Sequence, residues 1–275
     1  MKLSFCSIAF RKSSLPLTQI IELASLLGYD GVEVWVNHLT KDFSDIEMVK
    51  KALKKCKVEV PMVSPYFNLT GTKKQLAETF KEAETVFKYA KALNAPLVRV
   101  FTGVVGSREV TKSKYQQAVS ALRQLSAVAQ HYQVKLALET HPKTLVDSVP
   151  ATLKLLSKLQ DCPNVGLNLD IYHMWEVHQD PVAVLNELFP FVYHIHAKNA
   201  CLTKNNHYPL LHDKQGLQEI SGVTSLNNGS MAYQPFLQRL RQLNYQHYLS
   251  IEWFGQPILE GLIKDRQAVF SVFKL

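Results

Sequence analysis

The residues Val192-Tyr193-His194-Ile195-His196-Ala197-Lys198-Asn199 set the architecture expected of this chain. At the two-residue period of a strand, His194, His196 and Lys198 share one face, and Tyr193, Ile195 and Ala197 the other. Three basic or metal-capable groups in a row make a poor core surface, because an unpaired buried charge is expensive. Acidic or metallic partners are expected opposite them, supplied by other strands.

Three more segments end in the same manner. A strand over 134–140 runs into Leu138-Glu139-Thr140-His141-Pro142, one over 165–170 into Leu169-Asp170-Ile171-Tyr172-His173, and one over 248–253 into Ile251-Glu252-Trp253-Phe254-Gly255. Ala137, Glu139 and His141 share a face, as do Asn168 with Asp170 and Ser250 with Glu252. Their alternates, Leu136, Leu138, Leu167, Leu169, Leu249 and Ile251, are aliphatic and suit a helix-facing side. Taken singly, each polar residue reads as a paired group at a rim. Taken together, Glu139, Asp170, His196 and Glu252 stand at four successive strand ends with one parity, and they read as a metal site. Three carboxylates and an imidazole favour Mn²⁺ or Mg²⁺, with Co²⁺ and Zn²⁺ also compatible, over a thiolate zinc centre.

The rest of the chain repeats the unit. Strands are expected at 3–7, 31–36, 58–64, 97–101, 134–140, 165–170, 192–196 and 248–253. Helices are expected at 18–27, 43–55, 73–93, 112–130, 148–159, 181–188, 233–243 and 257–273. Eight alternations without a break in composition predict a (β/α)8 TIM barrel, α/β in class, as a single domain over 1–275. An open doubly wound sheet would bring a glycine-rich phosphate loop, and neither GxGxxG nor GxxxxGK[ST] occurs. Barrel chemistry collects at the C-terminal strand ends, where the four candidate ligands lie. Arg99 has inward parity on the fourth strand and needs a partner or an anionic ligand; Tyr66 follows the third. Glu33 and Trp35 share the inward parity of the second, Glu33 as a partner for a neighbouring base and Trp35 as a wall. His38 and His178 read as ordinary surface histidines.

Composition narrows the partners. At 275 residues, 47% hydrophobic, with a mean hydropathy of −0.07, the chain is an ordinary globular protein. No apolar run approaches the roughly 18 residues of a membrane span, so no membrane partner is expected. The apolar residues 3–10 lead into Arg11 and Lys12 and read as a first strand, not a leader. Cys6, Cys56, Cys162 and Cys201 form no CxxC pair, which fits a reducing cytoplasm. The net charge of +8 comes from lysines dispersed over helix faces, without a basic-aromatic motif. The expected partner is therefore a small anionic substrate drawn by the overall field, and not nucleic acid.

These motifs resemble the xylose-isomerase-like superfamily of sugar-phosphate isomerases and epimerases. A narrower resemblance is to the 3-dehydroshikimate dehydratases of petrobactin-type siderophore biosynthesis. It is carried by Phe10-Arg11, Gly31-Val32-Glu33-Val34-Trp35, Leu138-Glu139-Thr140-His141-Pro142 with Thr144-Leu145, and Asn168-Leu169-Asp170 with His173 and Trp175-Glu176. His196-Ala197-Lys198-Asn199 and Glu252-Trp253-Phe254-Gly255 complete it. The resemblance implies a divalent metal on Glu139, Asp170, His196 and Glu252, and further active-site positions at Tyr66, Arg99, His141, His173 and Lys198. It implies a lyase that converts 3-dehydroshikimate to protocatechuate through an enolate stabilised by the metal. On that reading His141 transfers the proton and His173 is a second acid–base group or orients ligands. Lys198 and Arg99 hold the substrate carboxylate or the oxyanion, and Tyr66 hydrogen-bonds substrate or donates a proton. His194, deeper on its strand, reads as core or as support for the ligands. The alternative is a sugar or sugar-phosphate isomerase or epimerase, using a metal-bound enediolate and returning the proton to a neighbouring carbon. A metal nuclease of the DNA-repair branch would need more ligands and a basic groove. A non-catalytic binding barrel would leave the histidines and Lys198 without a task. The departure from the dehydratase pattern is residues 199–231, with a loose match only at Gly222-Val223-Thr224-Ser225-Leu226.

Overall fold

Short apolar runs pair in parallel where an amphipathic helix crosses back over each of them. The computed structural model describes residues 1–40, 43–201 and 222–273. Its strands are β1 (Lys2–Cys6), β2 (Gly31–Trp35), β3 (Met62–Ser64), β4 (Leu97–Val100), β5 (Lys135–Glu139), β6 (Val165–Asp170) and β7 (Val192–Ala197). Two short strands, β8 (Asn199–Ala200) and β9 (Val223–Thr224), pair antiparallel in a ladder of their own. β10 (Tyr248–Ile251) closes the barrel in the order β1-β10-β7-β6-β5-β4-β3-β2. The helices are α1 (Leu17–Leu26), α2 (Ile46–Cys56), α3 (Lys73–Ala92), α4 (Lys112–His131), α5 (Val149–Ser157), α6 (Ile171–Glu176), α7 (Pro181–Leu188), α8 (Tyr233–Gln242) and α9 (Ile258–Phe273). Their starts are marked in the sequence. Thr72 and Gln75 form a reciprocal capping box on α3, Thr111 caps α4, and Asp180 precedes Pro181 at the start of α7.

The outward strand faces carry Val32, Val34, Val98, Val100, Leu136, Leu138, Leu167, Leu169, Leu249 and Ile251, all sealed under the helices. The inward faces bury many polar groups, Ser4, Glu33, Arg99, Glu139, Asn168, Asp170, His194, His196 and Ser250, beside a small apolar cluster of Met62, Leu97 and Ala137. Register fixes which of them meet. β6 and β7 slip by one residue between Leu167 and Asn168, so that Tyr193 is passed over. Asn168 then stands beside His194, and Asp170 beside His196, while β10 sets Ser250 next to His196. A ladder without that bulge would turn one set of side chains to the wrong face.

Two elements differ from the sequence expectation. The third strand is shorter than 58–64, because Pro61 has no N–H to give a ladder; only an isolated Gly31–Glu59 bridge precedes Met62–Ser64. The sixth strand ends at Asp170 as expected, but a helix not expected from the sequence, α6, follows it at once. Asp170 Oδ1 accepts the His173 N–H at 3.3 Å and starts α6, so His173 stands one helical turn from Asp170. Residues 202–221, most of the long irregular stretch, lie outside the described residues. No helix among the described residues is long and apolar enough to cross a membrane.

Candidate metal centre and active-site face

Four strand ends build the centre. Glu139 ends β5, Asp170 ends β6, His196 is the penultimate residue of β7, and Glu252 follows β10. All four are buried, and one candidate ligand atom from each lies within 4.8 Å of the others. His196 Nδ1 is 3.5 Å from Glu139 Oε1, and 3.8 Å from both Asp170 Oδ2 and Glu252 Oε2. It hydrogen-bonds to none of them. Three oxygens around one nitrogen at such separations suit donors that each sit about 2.1 Å from a shared ion.

Charge points the same way. Glu33, Glu139, Asp170 and Glu252 bring four buried carboxylates, against the fixed cations of Arg99 and Lys198. The difference is two negative charges, which a divalent cation cancels when His196 is neutral. Arg99 Nη1 lies 3.0 Å from Glu139 Oε2 and 3.7 Å from Glu252 Oε1, and Nη2 donates to Pro65 O. Lys198 Nζ lies 2.7 Å from Asp170 Oδ2 and 2.6 Å from Glu252 Oε2. Burial would raise the Glu139 carboxyl, but Arg99, His196 and Lys198 together hold it well below the ordinary range. Burial would lower Lys198, and Asp170, Glu252 and Glu139 outweigh it, so the ammonium stays charged.

The other nitrogen of His196 explains Glu33. His196 Nε2 lies 3.0 and 2.9 Å from the two Glu33 oxygens; His194 Nε2 and Ser64 Oγ also contact this carboxylate. Glu33 is thus the base-pairing group expected of it, and its base is the imidazole of a candidate ligand. A carboxylate on one ring nitrogen fixes the tautomer and aims the other at the metal position. Glu33, His194 and His196 also group closely enough to suggest a second metal position. Their contacts of 2.9–3.1 Å are hydrogen bonds, so the group supports the first centre. His194 takes the supporting place expected of it, with Ser250 Oγ 3.0 Å from Nε2.

Burial lowers the His196 imidazole, but Glu33, Glu252 and Glu139 raise it well above its ordinary value. A proton therefore competes with a cation for Nδ1. Metal uptake by metal-free protein at pH 7 is expected to release about one proton, with affinity rising up to tenfold per pH unit below the raised pKa. Calorimetry in buffers of different ionisation enthalpy measures this, and a heat independent of the buffer would contradict it.

A row of rings lines one side of the centre. Tyr66 stacks on Phe101 at 5.6 Å, Phe101 meets His141 edge-on at 5.3 Å, and His141 lies 4.0 Å from His173. Arg99 sits over both Tyr66 and Phe101. Burial pushes the Tyr66 phenol up to about 12, against the pull of Arg99, so it stays protonated. His141 Nδ1 is 2.7 Å from the Pro142 carbonyl, which can only accept, so Nδ1 carries the hydrogen and Nε2 the lone pair of the neutral ring. Burial, with His173 and Lys198 nearby, holds His141 well below its ordinary pKa and keeps that ring neutral. His173 Nδ1 hydrogen-bonds to Glu176, a partner the strand reading missed because it needs the i, i+3 spacing of a helix. Burial lowers His173 to about 3 and raises Glu176 to about 7, favouring the uncharged pair.

Trp35 packs with Cys6, Ile8 and Phe254 as a wall against which Tyr66 also lies, and Lys198 Nζ lies 5.6 Å from the Phe254 ring centre. His38 is not an ordinary surface histidine. It is half-buried, 3.0 Å from Ser7 Oγ and against Trp35, and burial takes it to about 4. His178 is exposed, as expected.

A family model described as Xylose isomerase-like TIM barrel matches residues 21–271. The chain belongs to that family. A 3-dehydroshikimate dehydratase of Bacillus anthracis is 30% identical over 266 residues, covering 93% of this chain and 91% of its own. An inosose dehydratase of Clostridium botulinum is 24% identical over 297 residues, covering 98% of this chain and 96% of its own. The crystal structure of the probable 3-DHS dehydratase involved in petrobactin synthesis from Bacillus anthracis matches with a TM-score of 0.87 at 28% identity, covering 98% of each chain. Dehydration is thus a reaction of relatives that span nearly the whole barrel.

Proposed function

We propose that the protein is a divalent-metal-dependent lyase that dehydrates 3-dehydroshikimate to protocatechuate. The observation that carries this reading is the neutral, lone-pair-bearing His141, which follows the candidate ligand Glu139 by two residues within the cluster that also holds Lys198. The likeness to a 3-dehydroshikimate dehydratase over nearly the full chain supports the substrate.

A divalent cation on Glu139, Asp170, His196 and Glu252 would supply Lewis acidity toward the C3 ketone and its neighbouring hydroxyl. The chain's own residues do the rest. His141 Nε2 takes the C4 proton, made acidic by the ketone, and its electron pair passes into the enolate. That pair then forms the C4–C5 double bond as the C5 hydroxyl departs, protonated by imidazolium or by the His173–Glu176 pair. Loss of a C6 proton and protonation of the C3 oxygen complete the aromatic ring. Both cations pair with candidate ligand carboxylates, but the Arg99 side chain is sealed at 1% exposure while that of Lys198 keeps 12%, so Lys198 is the cation assigned to the substrate's anionic oxygen. The small anionic partner is the substrate carboxylate itself. An epimerase needs acid–base groups on opposite sides of a sugar, whereas the His141 and His173 rings lie side by side, 4.0 Å apart between centres.

Purified protein with Mn²⁺ or Mg²⁺ and 3-dehydroshikimate is expected to give the absorbance of protocatechuate. Absence of turnover by metal-loaded protein would sink the assignment.

A further inference from the structure

Lys198 stands in an exposed position mechanically. β7 ends at Ala197, whose carbonyl takes the last contact from the β10 side, the Glu252 N–H at 2.9 Å. Lys198 lies between that end and β8, outside both strands. One side chain takes both of its backbone groups. Tyr233, at the first position of α8, donates its phenol hydrogen to Lys198 O at 2.8 Å and accepts the Lys198 N–H at 3.1 Å. Tyr233 is buried, and burial raises its phenol well above the usual value, so the donor hydrogen is retained.

The next residue is clamped as closely. Asn199 Nδ2 donates to Leu226 O and Met231 O, both at 2.8 Å, and Oδ1 accepts from Ala200 N at 2.9 Å and Met231 N at 3.3 Å. A Cβ at Gly229 would lie 2.1 Å from Asn199 Cγ, so the loop closes on this amide only where it has no side chain. The loop is in turn pinned to α9, where buried Asp265 accepts the Leu226 N–H at 2.7 Å. Each of these contacts bears on the peptide units from which the Lys198 ammonium projects.

We propose that Tyr233 is a positioning residue for catalysis, holding the Lys198 peptide so that its ammonium meets the anionic oxygen of the substrate, with Asn199 fixing the following peptide. This rests on the dehydratase reading in assigning Lys198 to the substrate. Because the side chain has several rotatable bonds, small changes at its backbone grow at Nζ. Misplacements of about 1 Å are costly in rate.

The experiment combines a double-mutant cycle with hydrogen exchange, both on the full metal-loaded chain. Tyr233→Phe keeps the ring and removes the phenol. It is expected to lower kcat about tenfold with KM changed less than about twofold, as loss of two modest hydrogen bonds predicts. In a Lys198→Met background the same substitution should change the residual rate less than about twofold. Equal proportional losses in both backgrounds would overturn the proposal. Exchange needs no substrate: amides across residues 197–200 should exchange at least about tenfold faster in Tyr233→Phe, and unchanged exchange would also overturn it. If the parent protein fails to convert 3-dehydroshikimate, the dehydratase reading falls, while accelerated or unchanged exchange still decides whether Tyr233 holds this peptide.

Discussion

His141→Ala is expected to lower kcat on 3-dehydroshikimate by about a thousandfold, the middle of the range for a general acid–base group, while metal content stays at the parental level. The reason for the size is geometric. Nδ1–H is spent on the Pro142 carbonyl at 2.7 Å, so the ring is held with Nε2 as its basic atom, and burial keeps it unprotonated at neutral pH. His173 lies only 4.0 Å away between ring centres, but its Nδ1 is tied to Glu176, and a helix instead of a strand sets its position. It is not placed to replace His141. The reason metal is retained is that His141 is outside the four-residue ligand group. The pH profile gives an independent reading: because the imidazole is held well below 6.5, the acid limb of kcat/KM should fall below that value. Near-parental turnover in His141→Ala would remove this residue from proton transfer.

Much of this centre was legible because a strand encodes its faces in a period of two. Parity alone set Glu139, Asp170, His196 and Glu252 on one side of their strands, and the barrel brings those four within reach of one another. The same period fails where the chain stops being a strand. Tyr172 and His173, just past the strand end, carry no strand or helix pattern of their own, but the Asp170 carboxylate can cap a helix, and it does; Glu176 becomes visible as the partner of His173 only after that turn is known. The bulge at Tyr193 was equally hidden, since a one-residue slip between neighbours leaves each strand's own alternation intact. Arg99 shows a different limit. Inward parity announced that it needed a partner, yet parity does not rank Glu139 and Glu252 against a substrate carboxylate; distance does, at 3.0 and 3.7 Å. Tyr233 gave no signal at all, because its contact is with the backbone of Lys198, and backbone partners leave no mark on the partner's residue type.

Glu139→Gln is expected to weaken the bound divalent ion by more than about a hundredfold, exceeding the loss typical of a supporting residue outside the ligand set. The substitution keeps an oxygen and the side-chain volume but removes the charge, so it tests charge and not space. Glu139 serves two neighbours: Oε1 stands 3.5 Å from His196 Nδ1 on the metal side, and Oε2 stands 3.0 Å from Arg99. Removing its charge takes one of two negative charges in excess over Arg99 and Lys198, so a divalent ion no longer finds full neutralisation by the protein. It also leaves the Arg99 guanidinium with Glu252 as its nearer carboxylate at 3.7 Å, and breaking a buried pair from one side costs about 3–5 kcal/mol. Stability and metal content must therefore be read together, by thermal unfolding and by elemental analysis after dialysis, with activity measured at increasing Mn²⁺. Glu252→Gln provides the comparison, since Glu252 contacts Lys198 at 2.6 Å in addition to Arg99 and so removes a partner from both cations. Folded protein with unchanged metal occupancy in both variants would rule out this cluster as the metal centre.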